Sequence, residues 1–151
     1  MELVFTKGPH KHDQLLVRRP GLADERIECP KQRIIPHDMV HYAVESTLRR
    51  RGFLARVRDG EQASFRMQSE AESDGVERLV EVIQGDAWSG SASTPAELID
   101  LYRVTCSARE CAPLNVTGAD IDAIRGRIGD LTVRWEQLAV GQSLKLEMAD
   151  E

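Results

Sequence analysis

The first thirty residues alternate apolar and polar positions in short runs, which is the pattern of β-strands. The runs are ELVFT, QLLVRR and DERIECP, and turn-forming residues separate them: GPHKHD after the first and Pro20-Gly21 after the second. Near the C-terminus, QSLKLEM alternates leucine and methionine with polar residues, which predicts one further strand. Strands are therefore expected within about residues 1–30 and 142–148.

Between about residues 36 and 138, apolar residues recur at helical spacing and predict about four helices. The first helix has a signal at each end. Pro36 suits the first helical position, and Asp38 places a negative charge in the first turn. Arg49–Arg51 would fill the last turn, and Gly52 would cap the C-terminus.

Three further helices have their own boundary signals. SDGVERLVEVIQG predicts a helix that stops at Gly85, followed by the loop DAWSGSAS. Thr94 with Glu97, and Thr117 with Asp120, have the spacing of capping boxes at the starts of the last two helices.

This order of elements predicts an α+β fold in one domain over residues 1–151. An antiparallel N-terminal β-meander would be joined by the C-terminal strand, with the helices between them in sequence. Residues 53–69 fit either an irregular connection or a short helix.

The last helix carries apolar residues spaced alternately three and four apart, as in a coiled-coil seam. This spacing favours packing along another helix or along a second copy of the chain, so a homodimer is one predicted assembly. The seam consists of Ile121, Ile124, Ile128, Leu131, Trp135 and Leu138.

Composition restricts the class of protein. The formal net charge is −5; basic residues outnumber acidic ones before residue 67, and acidic residues outnumber basic ones after it. No apolar run approaches the length of a membrane span, and the N-terminal residues lack the pattern of a signal peptide. Three cysteines without a Cys-x-x-Cys pair indicate reduced thiols, so we expect a cytoplasmic protein that does not act at a membrane.

His37 and His41 lie one helical turn apart, on the same side of the predicted helix as the apolar Val44 and Leu48. Two imidazoles at this spacing can bind one metal ion, and HDMVH is similar to the His-Glu-x-x-His motif of zinc metallopeptidases. In this chain the acid is Asp38, which is one methylene shorter than glutamate.

A third ligand would have to come from elsewhere. Glu45, one further turn along, is the nearest candidate, and Asp38 and Glu45 are also the candidates for a general base. Other candidate ligands are Glu61, Glu70, Glu72, His10 and His12. Two alternatives stay open: the histidines could be structural, bonded to backbone or carboxylate, or they could form a polar site without metal.

PHDMVHYAVE, RWEQL and GQSLKLEM together resemble a group of small uncharacterised bacterial proteins. That group has a Pro-His-Asp-x-Val-His-Tyr helix start and a Gly-x-Ser-Leu C-terminal strand. The resemblance covers the first helix and the C-terminal tail. It implies bacterial origin and a shared fold but supplies no catalytic residue.

Five arginines lie between residues 49 and 58. They could contact phosphates, but the chain is acidic and few aromatic residues alternate with them, so the sequence favours a solvated helix end. It predicts no phosphate or nucleic-acid site.

The sequence therefore favours a non-enzymatic interaction or regulatory module with an unknown protein partner and no cofactor. The alternative is a zinc-dependent hydrolase built on His37 and His41.

Overall fold

The computed structural model describes residues 1–63 and 67–150. Its elements in chain order are four strands and five helices. The strands are β1 (Glu2–Thr6), β2 (His12–Arg18), β3 (Glu25–Pro30) and β4 (Ser143–Glu147); the helices are α1 (His37–Leu48), α2 (Phe53–Arg58), α3 (Ala71–Trp88), α4 (Pro95–Ala108) and α5 (Gly118–Glu136).

The sheet has the strand order β3-β2-β1-β4, and each neighbouring pair is antiparallel. In β1, Phe5 lies opposite Leu15 of β2 on one side and Leu144 of β4 on the other. All three side chains are buried, because alternate positions of each strand face the core. The predicted α+β fold, with its meander and returning C-terminal strand, is confirmed.

One hydrophobic cluster joins the sheet to the helices. Leu3 and Leu15 of the sheet belong to the same cluster as Val40 of α1, Leu54 of α2 and Leu79 of α3. Helix α1 packs against α2, α3 and α5. The histidine-bearing helix therefore lies among the other helices, and α3 can supply side chains to it.

The ends of α1 differ from the prediction. Pro36 is the N-cap rather than the first helical residue, and Asp38 lies in the first turn as expected. The helix ends at Leu48, so Arg49–Arg51 lie beyond its last turn. Gly52 is the N-cap of α2 rather than the C-terminal cap of α1. The chain leaves α1 earlier because Arg49 itself adopts the left-handed conformation, with φ 54°, that glycine was expected to provide.

The sequence left residues 53–69 as either an irregular connection or a short helix. Phe53–Arg58 form the short helix α2, which brings the number of helices in the described residues to five. The prediction for residues 64–66 lies outside the described residues.

Gly85 does not end α3, which continues to Trp88 and takes in the start of the predicted loop. Asp86, just after Gly85, pairs with Arg125 of α5 at 2.7 Å, a tertiary contact made on the additional turn. The left-handed residues that reverse the chain come later, at Gly90 and Ser91.

Both predicted capping boxes are present, at Thr94 and Glu97 of α4 and at Thr117 and Asp120 of α5. The five seam residues from Ile121 to Trp135 are buried within the chain's own core, whereas Leu138 follows the end of α5. A second subunit is therefore not needed to bury the seam residues, and the homodimer stays a prediction.

Cys29, Cys106 and Cys111 are not paired with one another, and their reduced state in the cell stays a prediction. Within the described residues, none of the helices combines the length and the apolar character needed to cross a membrane.

Candidate metal centre

The candidate site lies between the first two turns of α1 and the middle of α3. His37 and His41 are one turn apart on α1, with ring centroids 4.9 Å apart in an edge-on arrangement. Glu77 of α3 reaches both rings. One ligand atom from each of these three residues lies within 4.8 Å of the other two. We call these three residues the His–His–Glu cluster.

Each histidine has its Nδ1 atom fixed by an oxygen outside the cluster. Nδ1 of His41 is 2.9 Å from Oε2 of Glu45, and Nδ1 of His37 is 2.8 Å from Oε1 of Gln84. A carboxylate or amide oxygen can only accept, so both Nδ1 atoms carry hydrogen and donate. Both rings are therefore oriented with Nε2 toward Glu77.

The Nε2 atoms meet the two oxygens of one carboxylate. Nε2 of His41 is 2.8 Å from Oε2 of Glu77, and Nε2 of His37 is 3.4 Å from Oε1. Ligand atoms bound to one tetrahedral zinc ion lie roughly 3.3 Å apart. The two histidine-to-glutamate distances lie on either side of this value.

Without a metal, this arrangement needs protons on Nε2, because a carboxylate cannot donate. Burial lowers the pKa of His41, but hydrogen bonds to Glu45 and Glu77 outweigh it and raise that pKa to about 10. The pKa of His37 is also raised, chiefly by the hydrogen bond to Glu77. Burial raises the pKa of Glu77, but hydrogen bonds from both histidines hold it well below its usual value. The metal-free cluster is therefore an ion-paired group, with cationic His41 between two carboxylates.

The cluster is closed on one side and open on the other. The side chains of His41 and Glu45 are 2% and 0% exposed, whereas those of His37 and Glu77 are each 34% exposed. Phe53 covers the His41 ring at a centroid distance of 5.9 Å. Phe53 and Glu77 also line a cavity of about 600 Å³ between α2 and α3. A small molecule in this cavity would reach the Glu77 side of the cluster.

Glu45 was the predicted third ligand, and the structure gives it another set of partners. Its carboxylate accepts backbone N–H groups from Gly52, Leu54 and Ala55 at 2.9–3.1 Å, in addition to Nδ1 of His41. These bonds satisfy N–H groups at the start of α2, which have no partners within that helix. Glu45 therefore orients His41 and anchors α2 rather than facing Glu77.

The other sequence candidates lie apart from the cluster. Asp38 accepts a hydrogen bond from Sγ of Cys29 at 3.6 Å. His10 precedes β2 and His12 is its first residue; both are exposed, and neither is a member of the cluster. The three glutamates proposed as alternative ligands pair with arginines instead. Glu61 pairs with Arg56, Glu70 with Arg51, and Glu72 with Arg50.

Glu77 and Gln84 were not among the site residues predicted from the sequence. They are seven residues apart, two turns of α3, and so project from the same side of that helix. Their spacing beside the buried Val76, Val80 and Ile83 was a visible signal of two polar side chains at the edge of an apolar face. The sequence did not show which element that edge would contact.

Comparisons of the chain with family models, with curated proteins and with solved structures found no match. The bacterial resemblance, the cytoplasmic location and an unknown protein partner therefore stay predictions.

Proposed function

We propose that this protein binds one divalent transition-metal ion, zinc by donor chemistry, through Nε2 of His37, Nε2 of His41 and the carboxylate of Glu77. The observation that carries the proposal is the orientation of the two rings. Both Nδ1 atoms are held by Glu45 and Gln84, and both Nε2 atoms point at one carboxylate. Metal-bound histidines regularly have this outer hydrogen bond, which fixes the tautomer and raises the basicity of the ligating nitrogen.

The donor set also suggests what the ion would do. Two histidines and one glutamate are a known set for catalytic zinc, which keeps a fourth position for water or substrate. Glu77 borders the cavity that Phe53 and Ser73 also line, so we place the open position on that side. The activity we propose is metal-dependent hydrolysis of a small molecule.

The interaction module favoured by the sequence remains the second candidate. No contact within residues 1–63 and 67–150 favours it over the metal centre.

Metal binding is tested on tag-free protein treated with chelator and titrated with zinc in a calorimeter. We expect one ion per chain, and cobalt in place of zinc should give the absorption bands of a tetrahedral site. Glu77→Gln should weaken zinc binding by more than about 100-fold, since loss even of an outer hydrogen bond costs about 10–100-fold.

The matched control is Glu81→Gln, one turn further along α3, where the side chain pairs with Arg78 outside the cluster. It should bind zinc like the wild type. Equal affinity in the two variants, or substoichiometric zinc in the wild type, would exclude the centre.

Hydrolysis is tested separately with zinc-loaded protein and a panel of p-nitrophenyl esters and phosphates. Turnover should appear with zinc, disappear with chelator and be absent in Glu77→Gln but not in Glu81→Gln. Zinc binding without turnover of any substrate in the panel would leave the metal proposal intact and count against the hydrolase.

A further inference from the structure

The five arginines that follow α1 divide into two groups that face different parts of the molecule. Arg51 and Arg56 face carboxylates: Nε of Arg51 is 3.2 Å from Glu70, and Nε of Arg56 is 2.7 Å from Glu61. The other three, Arg49, Arg50 and Arg58, line a separate cavity. Treating the five as one solvated helix end therefore described only part of the arrangement.

This second cavity has a volume of about 580 Å³ and lies beside the C-terminal end of α1. Tyr42 and Ser46 of α1 line it together with the three arginines, and Arg127 enters from α5. The size falls within the range of small-molecule sites. We call it the arginine cavity.

Positive charge in the arginine cavity is only partly neutralised. Within the described part of the chain, Arg49 and Arg127 have no acidic partner, and Arg127 donates to Oγ of Ser46 at 2.8 Å. Nε of Arg50 is a distant 3.8 Å from Glu72, and Arg58 pairs with Asp59.

Three acidic residues also line the cavity, and two of them have cationic or N–H partners. The carboxylate of Glu45 is occupied by His41 and by three backbone N–H groups. The carboxylate of Glu147 pairs with the N-terminal amine of Met1 at 3.4 Å. Asp150 is the third, and it lies in the C-terminal tail. The net charge of the side chains that line the cavity therefore remains positive.

Neutralising the helix dipole does not account for this arrangement. Arg49 and Arg50 follow α1 and Arg58 ends α2, where positive charge is favoured, but Arg127 lies inside α5, away from its last turn. Arg49 also occupies a left-handed position, φ 54°, at a helix end where glycine is usual. A non-glycine residue is uncommon in this conformation.

We propose that the arginine cavity binds the phosphate group of a small phosphorylated molecule. Guanidinium groups match the oxygens of phosphate as paired donors, and converging arginines favour a dianion over a monoanion. The hydroxyl of Ser46 donates to the carbonyl oxygen of Tyr42 and accepts from Arg127, so it holds the Arg127 guanidinium at the cavity. This site is distinct from the His–His–Glu cluster and does not depend on metal.

The test is a titration of isotope-labelled protein with inorganic phosphate and with phenyl phosphate, at low ionic strength and followed by NMR. We expect saturable shifts of the side-chain N–H signals of Arg49 and Arg127. Arg127→Gln should weaken binding about tenfold or more, because hydrogen bonds to charged groups are the strong ones. Arg134→Gln, two turns further along α5 at an exposed position, is the matched control and should bind normally.

Arg49→Gly separates binding from folding. Glycine suits the left-handed position, so this variant should melt no lower than the wild type while binding phosphate more weakly. Glu77→Gln and chelator-treated protein should bind phosphate as the untreated wild type does, which keeps this test independent of the metal proposal.

Several outcomes would overturn the phosphate site. They are the absence of saturable shifts with either probe, equal weakening by Arg127→Gln and Arg134→Gln, or binding that disappears with chelator. Shifts produced by a short single-stranded oligonucleotide but by neither small probe would assign the surface to nucleic acid and would also overturn it.

Discussion

Glu45 and His41 are joined by a buried hydrogen bond of 2.9 Å, and the same carboxylate holds the first turn of the next helix. One side chain therefore fixes the ring that faces Glu77 and the position of α2, which carries Phe53 over that ring. The shape of the candidate metal centre and the folding of the segment after α1 depend on the same group.

Glu45→Gln is expected to destabilise the protein by about 2–4 kcal/mol, because it removes one charge from a buried ion pair. The glutamine side chain would also place an NH₂ donor where His41 and three backbone N–H groups already donate. Thermal unfolding followed by circular dichroism measures the effect. Glu136→Gln, at an exposed position in the last turn of α5, is the control and should change the melting temperature little. Similar melting temperatures for the two variants would contradict the role of Glu45.

Gly52→Ala tests the same junction through packing. A Cβ atom at Gly52 would lie 2.5 Å from Cγ1 of Val76 and 2.6 Å from Cδ of Glu45, both of them buried. We expect a loss of about 1–3 kcal/mol in the free energy of unfolding from overpacking.

Gly126→Ala on α5 is the matched control, because nothing lies within 4 Å of a Cβ at that position. There alanine should stabilise the helix by about 0.5–1 kcal/mol. Chemical denaturation of both variants gives the comparison, and a change of the same sign in both would contradict the close approach at Gly52.

The sequence predicted features that depend on local periodicity or on short spacing. The alternation of ELVFT predicted β1, and the spacing of Thr94 and Glu97 located the start of α4. The pairing of His37 with His41 is likewise a property of one helix. These features need no knowledge of how the elements pack.

The remainder of the site depends on packing between elements. Glu77 is on α3, and its approach to α1 is set by the burial of neighbours such as Val76 and Val80. Glu45 was assigned to the metal because it follows His41 by one turn. Its real partners, the N–H groups of α2, could not be anticipated once Gly52 had been interpreted as the end of α1.

The three cysteines should differ in how fast their thiols react. Burial raises the pKa of Cys29, and the nearby Asp38 raises it further. Burial also raises the pKa of Cys106, which is fully enclosed, whereas Cys111 is partly exposed. Because the thiolate is the nucleophile, iodoacetamide at pH 8 should label Cys111 of the folded protein first.

Mass spectrometry of the labelled peptides provides the measurement. Cys111→Ser should leave the folded protein almost unlabelled until denaturant is added, when both remaining cysteines react. Rapid labelling of Cys106 in the folded variant would contradict its enclosure in the core.

The stability of the chelator-treated protein should depend on pH through His41. Its pKa in the folded protein is raised to about 10 from an ordinary value near 6.5, so the folded state holds the proton more tightly than the unfolded chain. The stabilising contribution is then complete below about pH 6.5 and is lost as the pH rises through about 10. Denaturation midpoints measured across this range should fall, and most of that fall should be absent in His41→Gln. A wild-type midpoint that stayed level from pH 6.5 to 10, or that fell equally in the variant, would mean that His41 is not held as a cation by Glu45 and Glu77.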